Sequence, residues 1–124
     1  MRFKAEPSRL QKLVRKGFRG YPQGTVAFYG PDDERATKTV VAVFLEPNKE
    51  PEFFERWFDN TGGMMFDRTV HAKVMAVFER YGVRSVAMES IILGCPHEEG
   101  LDYPDGESCP QCPFWAGRSR PLGL

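Results

Sequence analysis

Cysteine, histidine and a surplus of charge of either sign are what this chain of 124 residues has little of. With 17 basic and 17 acidic side chains its formal net charge is zero, unlike the strongly basic domains that grip nucleic acid. Three cysteines are too few for a disulfide framework. No apolar run approaches the roughly 18 residues of a membrane span, so no membrane partner is expected. The start, MRFKAEPSRL, carries charge but no apolar segment of the secretory kind, which makes the reducing cytoplasm the expected location. Also missing are internal repeats, a glycine-rich phosphate loop, a Ser-His-Asp set and a paired-carboxylate arrangement. No catalytic residue is therefore assigned, and an enzyme is the less favoured class.

The zero balance hides a lopsided distribution. Between positions 1 and 20 stand Arg2, Lys4, Arg9, Lys12, Arg15, Lys16 and Arg19 against a single Glu6. Between Cys95 and Cys109 stand Glu98, Glu99, Asp102, Asp105 and Glu107 with no Lys or Arg. A chain of this length suits one domain, spanning 1–124.

Periodicity gives the elements. PSRLQKLVRKGF reads as a helix, because Leu10, Leu13, Val14 and Phe18 recur at three and four residues and Pro7 suits a first turn. TVAFY (25–29) and TKTVVAVFL (37–45) read as an antiparallel hairpin across the turn-forming GPDDERA. PEFFERWFDN places Phe53, Phe54, Trp57 and Phe58 at helical spacing and predicts a short helix with an aromatic face. Met64 and Met65, after two glycines, suggest a mobile apolar loop. A third helix is expected from an Asp67 N-cap to about Tyr81, with Val70, Val74, Val77, Phe78 and Tyr81 as its stripe and Gly82 at C′. RSVAMESIIL then reads as a strand, and the long crossover before it favours parallel pairing. The expected fold is α/β (α+β): a small mixed β-sheet of about three strands covered by about three helices, with a C-terminal loop and tail (94–124) packed on the 1–93 body.

All three cysteines and one histidine fall within GCPHEEGLDYPDGESCPQCPFW. Cys95 and His97 form a C-x-H pair, Cys109 and Cys112 a C-x-x-C pair, and eleven residues separate the two. Two close pairs of soft donors joined by such a loop suit a closed tetrahedral site, so Zn2+ is the expected cofactor and Cys95, His97, Cys109 and Cys112 are its expected ligands. C-x-H is tighter than the commoner hooks, which leaves an acidic neighbour or His71 as an alternative fourth ligand. Structural zinc would also account for order in a tail with few apolar residues.

Other chemistries fit less well. His97-Glu98-Glu99 with CPQC matches the zinc-deaminase pattern literally, but Cys95 would fill the position that pattern leaves to water. A dithiol redox centre at Cys109 and Cys112 wants a helix N-terminus, and Pro113 argues that no helix starts there. Arg9, Lys12, Lys16 and Arg19, with Arg118 and Arg120 beside Phe114 and Trp115, could meet nucleic acid or another anion. The simpler reading leaves them solvated or paired with the acidic loop. His71 is better read as a boundary residue with a local hydrogen bond than as a catalyst.

FKAEPSRLQKLVRKGFRGYP near the start and GCPHEEGLDYPDGESCPQCPFWAGRSR near the end together resemble a family of short uncharacterised bacterial proteins of about this length. The resemblance covers both ends of the chain. It implies no activity and no catalytic residue, and its tail pattern, in which Cys95, His97, Cys109 and Cys112 stand, is itself similar to a zinc-binding one. The favoured expectation is a small cytosolic zinc-binding protein whose structural metal fixes a surface for a partner, a protein ahead of nucleic acid. A small metal-dependent or thiol redox enzyme at the same loop is the alternative.

Overall fold

The computed structural model describes residues 7–116. Its regular elements are helix α1 (Arg9–Arg15), strands β1 (Gln23–Tyr29), β2 (Lys38–Phe44) and β3 (Phe53–Phe58), helix α2 (Arg68–Arg80) and strand β4 (Ser85–Ile92). Two single 3-10 turns stand at Met64–Phe66 and Pro113–Trp115. The strands form one mixed sheet in the order β3-β2-β1-β4. Hydrogen bonds set the directions. Glu52 donates to Val43 and Asp59 to Thr37, so β3 runs antiparallel to β2. Arg84 donates to Pro22 and Leu93 to Phe28, so β4 runs parallel to β1, as the long crossover leads one to expect.

The chain divides into two compact units, each taking one half of every strand. The first comprises 7–26, 41–55 and 66–88 and contains both helices. Its core is Leu10, Val26, Val41, Val43, Val74, Phe78 and Val86. α2 forms because its ends are closed as well as because its stripe is apolar. The Asp67 carboxylate accepts from the Thr69 and Val70 N–H groups. At the other end Val83 donates to Phe78 and Gly82 to Glu79, the Schellman arrangement, with Gly82 at φ +64°. α1 starts on a reciprocal pair: Ser8 Oγ accepts from the Gln11 N–H, and the Gln11 side chain accepts from the Ser8 N–H. Pro7 thus precedes the cap instead of opening the helix. Gly24 lets the Phe78 ring lie on β1, for a Cβ there would meet it at 2.5 Å.

The second unit comprises 27–40, 56–65 and 89–116 and carries the whole cysteine segment. Phe28, Ala36, Thr39, Met64 and Ile92 are buried in it. Gly30 is the tight point: a Cβ would stand 1.5 Å from the Arg35 carbonyl oxygen, so the turn back to β2 has room only for hydrogen.

Three expectations need correction. FFERWF is strand β3, not a helix, so the described residues contain four strands and two α-helices. Its aromatics suit a pleated surface, six residues are too few to sustain a helix alone, and its backbone finds partners on β2. It lies at the sheet edge, which leaves Phe54 and Phe58 exposed instead of forming a core face. Met64 and Met65 are buried in a 3-10 turn, where Met64 Sδ accepts from the Thr39 hydroxyl at 3.5 Å. Pro113, finally, does not prevent a turn of helix after Cys112; it opens one at its first position.

Candidate metal centre

β4 ends at Ile92 and delivers the chain to Cys95. Leu93 donates to Phe28, and Gly30 donates to Gly94 at 2.9 Å, which pins the backbone just before the first cysteine. From there Cys95 and His97 form one hook and Cys109 and Cys112 the other. The His97 N–H donates to Cys95 Sγ at 3.3 Å, and the Cys112 N–H to the Cys109 carbonyl at 3.4 Å. Between the hooks, Gly100 donates to Tyr103, and the Glu98 N–H donates to the Asp102 carboxylate at 2.7 Å. Gly100 and Gly106 supply the positive φ values of 83° and 82° that fold this segment back on itself.

The outcome is one cluster. The ligand atoms of Cys95, His97, Cys109 and Cys112 all lie within 4.8 Å of one another, close enough to hold a metal ion. His97 Nδ1 stands 3.3 Å from Cys95 Sγ, 3.4 Å from Cys109 Sγ and 3.5 Å from Cys112 Sγ. The three sulfurs are buried, Tyr103 is buried with them, and Trp115 packs alongside. Trp115 Nε1 donates to the Gly30 carbonyl at 2.8 Å, tying the second hook to the turn after β1.

Burial pushes the Cys95 thiol upward, with the neighbouring thiols adding to the rise, and burial pushes Cys112 upward as well. That direction is opposite to the lowered thiol of a reactive redox cysteine.

A second layer of contacts was not visible in the sequence. Lys38, the first residue of β2, is buried with its side chain 4% exposed. Its ammonium donates to the Pro96 carbonyl at 3.0 Å and to Glu98 Oε2 at 3.1 Å. The same nitrogen lies 5.5 Å from the Tyr29 ring centroid and 5.8 Å from that of Phe58. Arg56 of β3 grips the same carboxylate as a fork, Nε to Oε2 at 2.6 Å and a terminal nitrogen to Oε1 at 3.1 Å. These hydrogen bonds, Arg56 first, hold the Glu98 carboxyl below its ordinary range against the opposing effect of burial.

The remaining candidates fall elsewhere. His71 is not part of the cluster: it is buried in the first unit and shares a 2.8 Å hydrogen bond with Ser8 Oγ, 63 residues away. It is thus a core histidine rather than a boundary one, and lines a groove of about 420 Å³ with Ser8, Leu10 and Met75. Arg9 pairs with Glu79 of α2 at 2.7 Å, and Glu98 of the acidic loop takes Lys38 and Arg56. Lys12, Lys16 and Arg19 are exposed. Arg118 and Arg120 lie outside the described residues. Among the described residues no helix is long and apolar enough to cross a membrane.

The four donors and their anchoring define a chain with a Cys/His cluster able to hold a metal. No protein-family model, curated protein or solved structure matches it.

Proposed function

We propose that this is a small zinc-binding protein in which Cys95, His97, Cys109 and Cys112 close a tetrahedral site around one Zn2+, and that the metal is structural. The carrying observation is the near equality of the three sulfur-to-Nδ1 separations, 3.3, 3.4 and 3.5 Å. A tetrahedral zinc with bonds of about 2.3 Å to sulfur and about 2.0 Å to nitrogen separates those atoms by roughly 3.5 Å. Soft thiolates with one imidazole favour zinc over hard cations such as magnesium or calcium. Four protein donors leave no position for a water or substrate, which hydrolytic zinc requires. The metal's work is then to order the 95–116 segment and present its surface. Leu101 and the surrounding Glu99, Asp102, Asp105 and Glu107 stand exposed on it. A protein partner fits better than nucleic acid, since that surface is acidic and the whole chain has no net positive charge. Three cysteines given to a metal, with no disulfide among them, suit a reducing, cytoplasmic setting.

Metal analysis of protein purified without added metal tests the reading. One zinc per chain is expected, and Cys109→Ser should abolish it. A protein that carries no metal, takes up neither zinc nor cobalt, and is equally stable with Ser at 109 would end the proposal.

A further inference from the structure

We infer that Lys38, which ligates nothing, is a positioning residue for the metal centre, and that through Glu98 the occupancy of the centre and the order of residues 56–58 form one linked equilibrium. The inference rests on the zinc reading above and adds to it the way the site is coupled to the sheet edge.

Ligands and anchors alternate along the first hook: Cys95 ligand, Pro96 anchor, His97 ligand, Glu98 anchor. Lys38 holds both anchors at once, the carbonyl of Pro96 and the carboxylate of Glu98. Each anchor adjoins His97, so the ammonium fixes the backbone on both sides of the imidazole that all three sulfurs face. The constraint works in the other direction too. A buried ammonium requires oxygen acceptors, and the ring faces of Tyr29 and Phe58 are poor substitutes. If the hook departs, Lys38 loses the two oxygens it donates to here. Arg56 extends the link to β3, because its fork closes on the same carboxylate. Whatever orders the hook therefore orders Arg56, and by reciprocity whatever orders Arg56 favours the metal-bound hook.

The test compares wild type with Lys38→Met, Glu98→Gln and the double variant. Zinc affinity is read by competition with a chromophoric chelator, and the ligand field by the optical spectrum of the cobalt-loaded protein. Residues that orient metal ligands through hydrogen bonds are worth about 10- to 100-fold in affinity. Each single variant should lose that much and show a weakened tetrahedral cobalt band, and the double variant should be little worse than either alone. In wild type, stripping zinc with a chelator should speed amide exchange at 38–40 and 56–58. Should Lys38→Met fail to fold, Glu98→Gln decides, since its side chain is one-third exposed and loses only charge. Single variants with wild-type zinc affinity and cobalt spectrum, or full additivity in the double variant, would overturn the inference while leaving the zinc site standing. A wild type that binds neither metal would overturn the zinc reading first.

Discussion

Helix α2 and the segment 95–116 are held in opposite ways. α2 buries Val74, Val77 and Phe78 along one stripe, is capped by Asp67 and is closed by Gly82. Its stability is apolar area plus local hydrogen bonds, all written within a few residues of one another. The 95–116 segment buries only Tyr103 and the three cysteines, and it has no stripe. It depends on four donors converging on one point and on contacts from residues some 60 positions earlier, Lys38 foremost. A region poor in apolar side chains can still take one conformation, provided that a few strong and directional contacts replace area.

The sharpest way to break that comparison is to remove the proposed metal. With zinc bound as proposed, stripping it, or placing Ser at Cys109, should collapse amide protection across 95–116 while the amides of Val74, Val77 and Phe78 stay slow. A structural zinc contributes roughly 10 kcal/mol in small modules, so this is the largest effect expected. Equal loss in both regions would show that their stabilities are not separable. The mirror experiment is Phe78→Ala. It opens a cavity in the apolar core, should cost about 3–5 kcal/mol by denaturant titration, and should leave the proposed stoichiometry of one zinc unchanged.

Those two regions also differ in how far the sequence revealed them. Caps and a 3.6-residue stripe are local signals, so α2 and its termini were legible from Asp67, Phe78 and Gly82. Metal-donor spacing is local as well, which is why Cys95, His97, Cys109 and Cys112 could be named together. β3 was not legible, because Phe53, Phe54, Trp57 and Phe58 satisfy a helical spacing and a strand composition equally. Only the backbone partners on β2 decide between them. Lys38 and Arg56 carried no signal of their role, for a contact with Glu98 across 60 and 42 positions leaves no periodic trace. Ser8 and His71 were hidden by the same distance.

Packing tolerance separates the regions further. A methyl at Gly24 would meet the Phe78 ring at 2.5 Å, and that ring is itself buried with no space to retreat. Gly24→Ala should therefore cost about 1–3 kcal/mol, measured by denaturant titration. In the Phe78→Ala background the same methyl enters the vacated space, so its cost should shrink or reverse. If Gly24→Ala costs the same in both backgrounds, the close approach of ring and strand is not what limits this site.

The smallest expected effect concerns a turn that needs neither metal nor core. Asp32 sits in the turn from β1 to β2, where one carboxylate oxygen accepts from the Glu34 and Arg35 N–H groups, each at 2.9 Å. The other oxygen pairs with the Arg35 guanidinium at 2.9 Å. These contacts, the Glu34 N–H first, hold the Asp32 carboxyl below its usual value of 3.8. A carboxyl depressed on folding contributes stability that is present above its unfolded value and lost as pH falls through the folded one. An NMR titration of the Asp32 side chain should accordingly give a midpoint below 3.8, and the Glu34 and Arg35 amides should shift with it. Because the turn closes on its own donors, the midpoint should be the same in wild type and in Cys109→Ser. An Asp32 midpoint that rises to an ordinary value when Cys109 is replaced would mean that the turn, too, is ordered by the proposed metal, and that its reach extends beyond the Cys/His cluster.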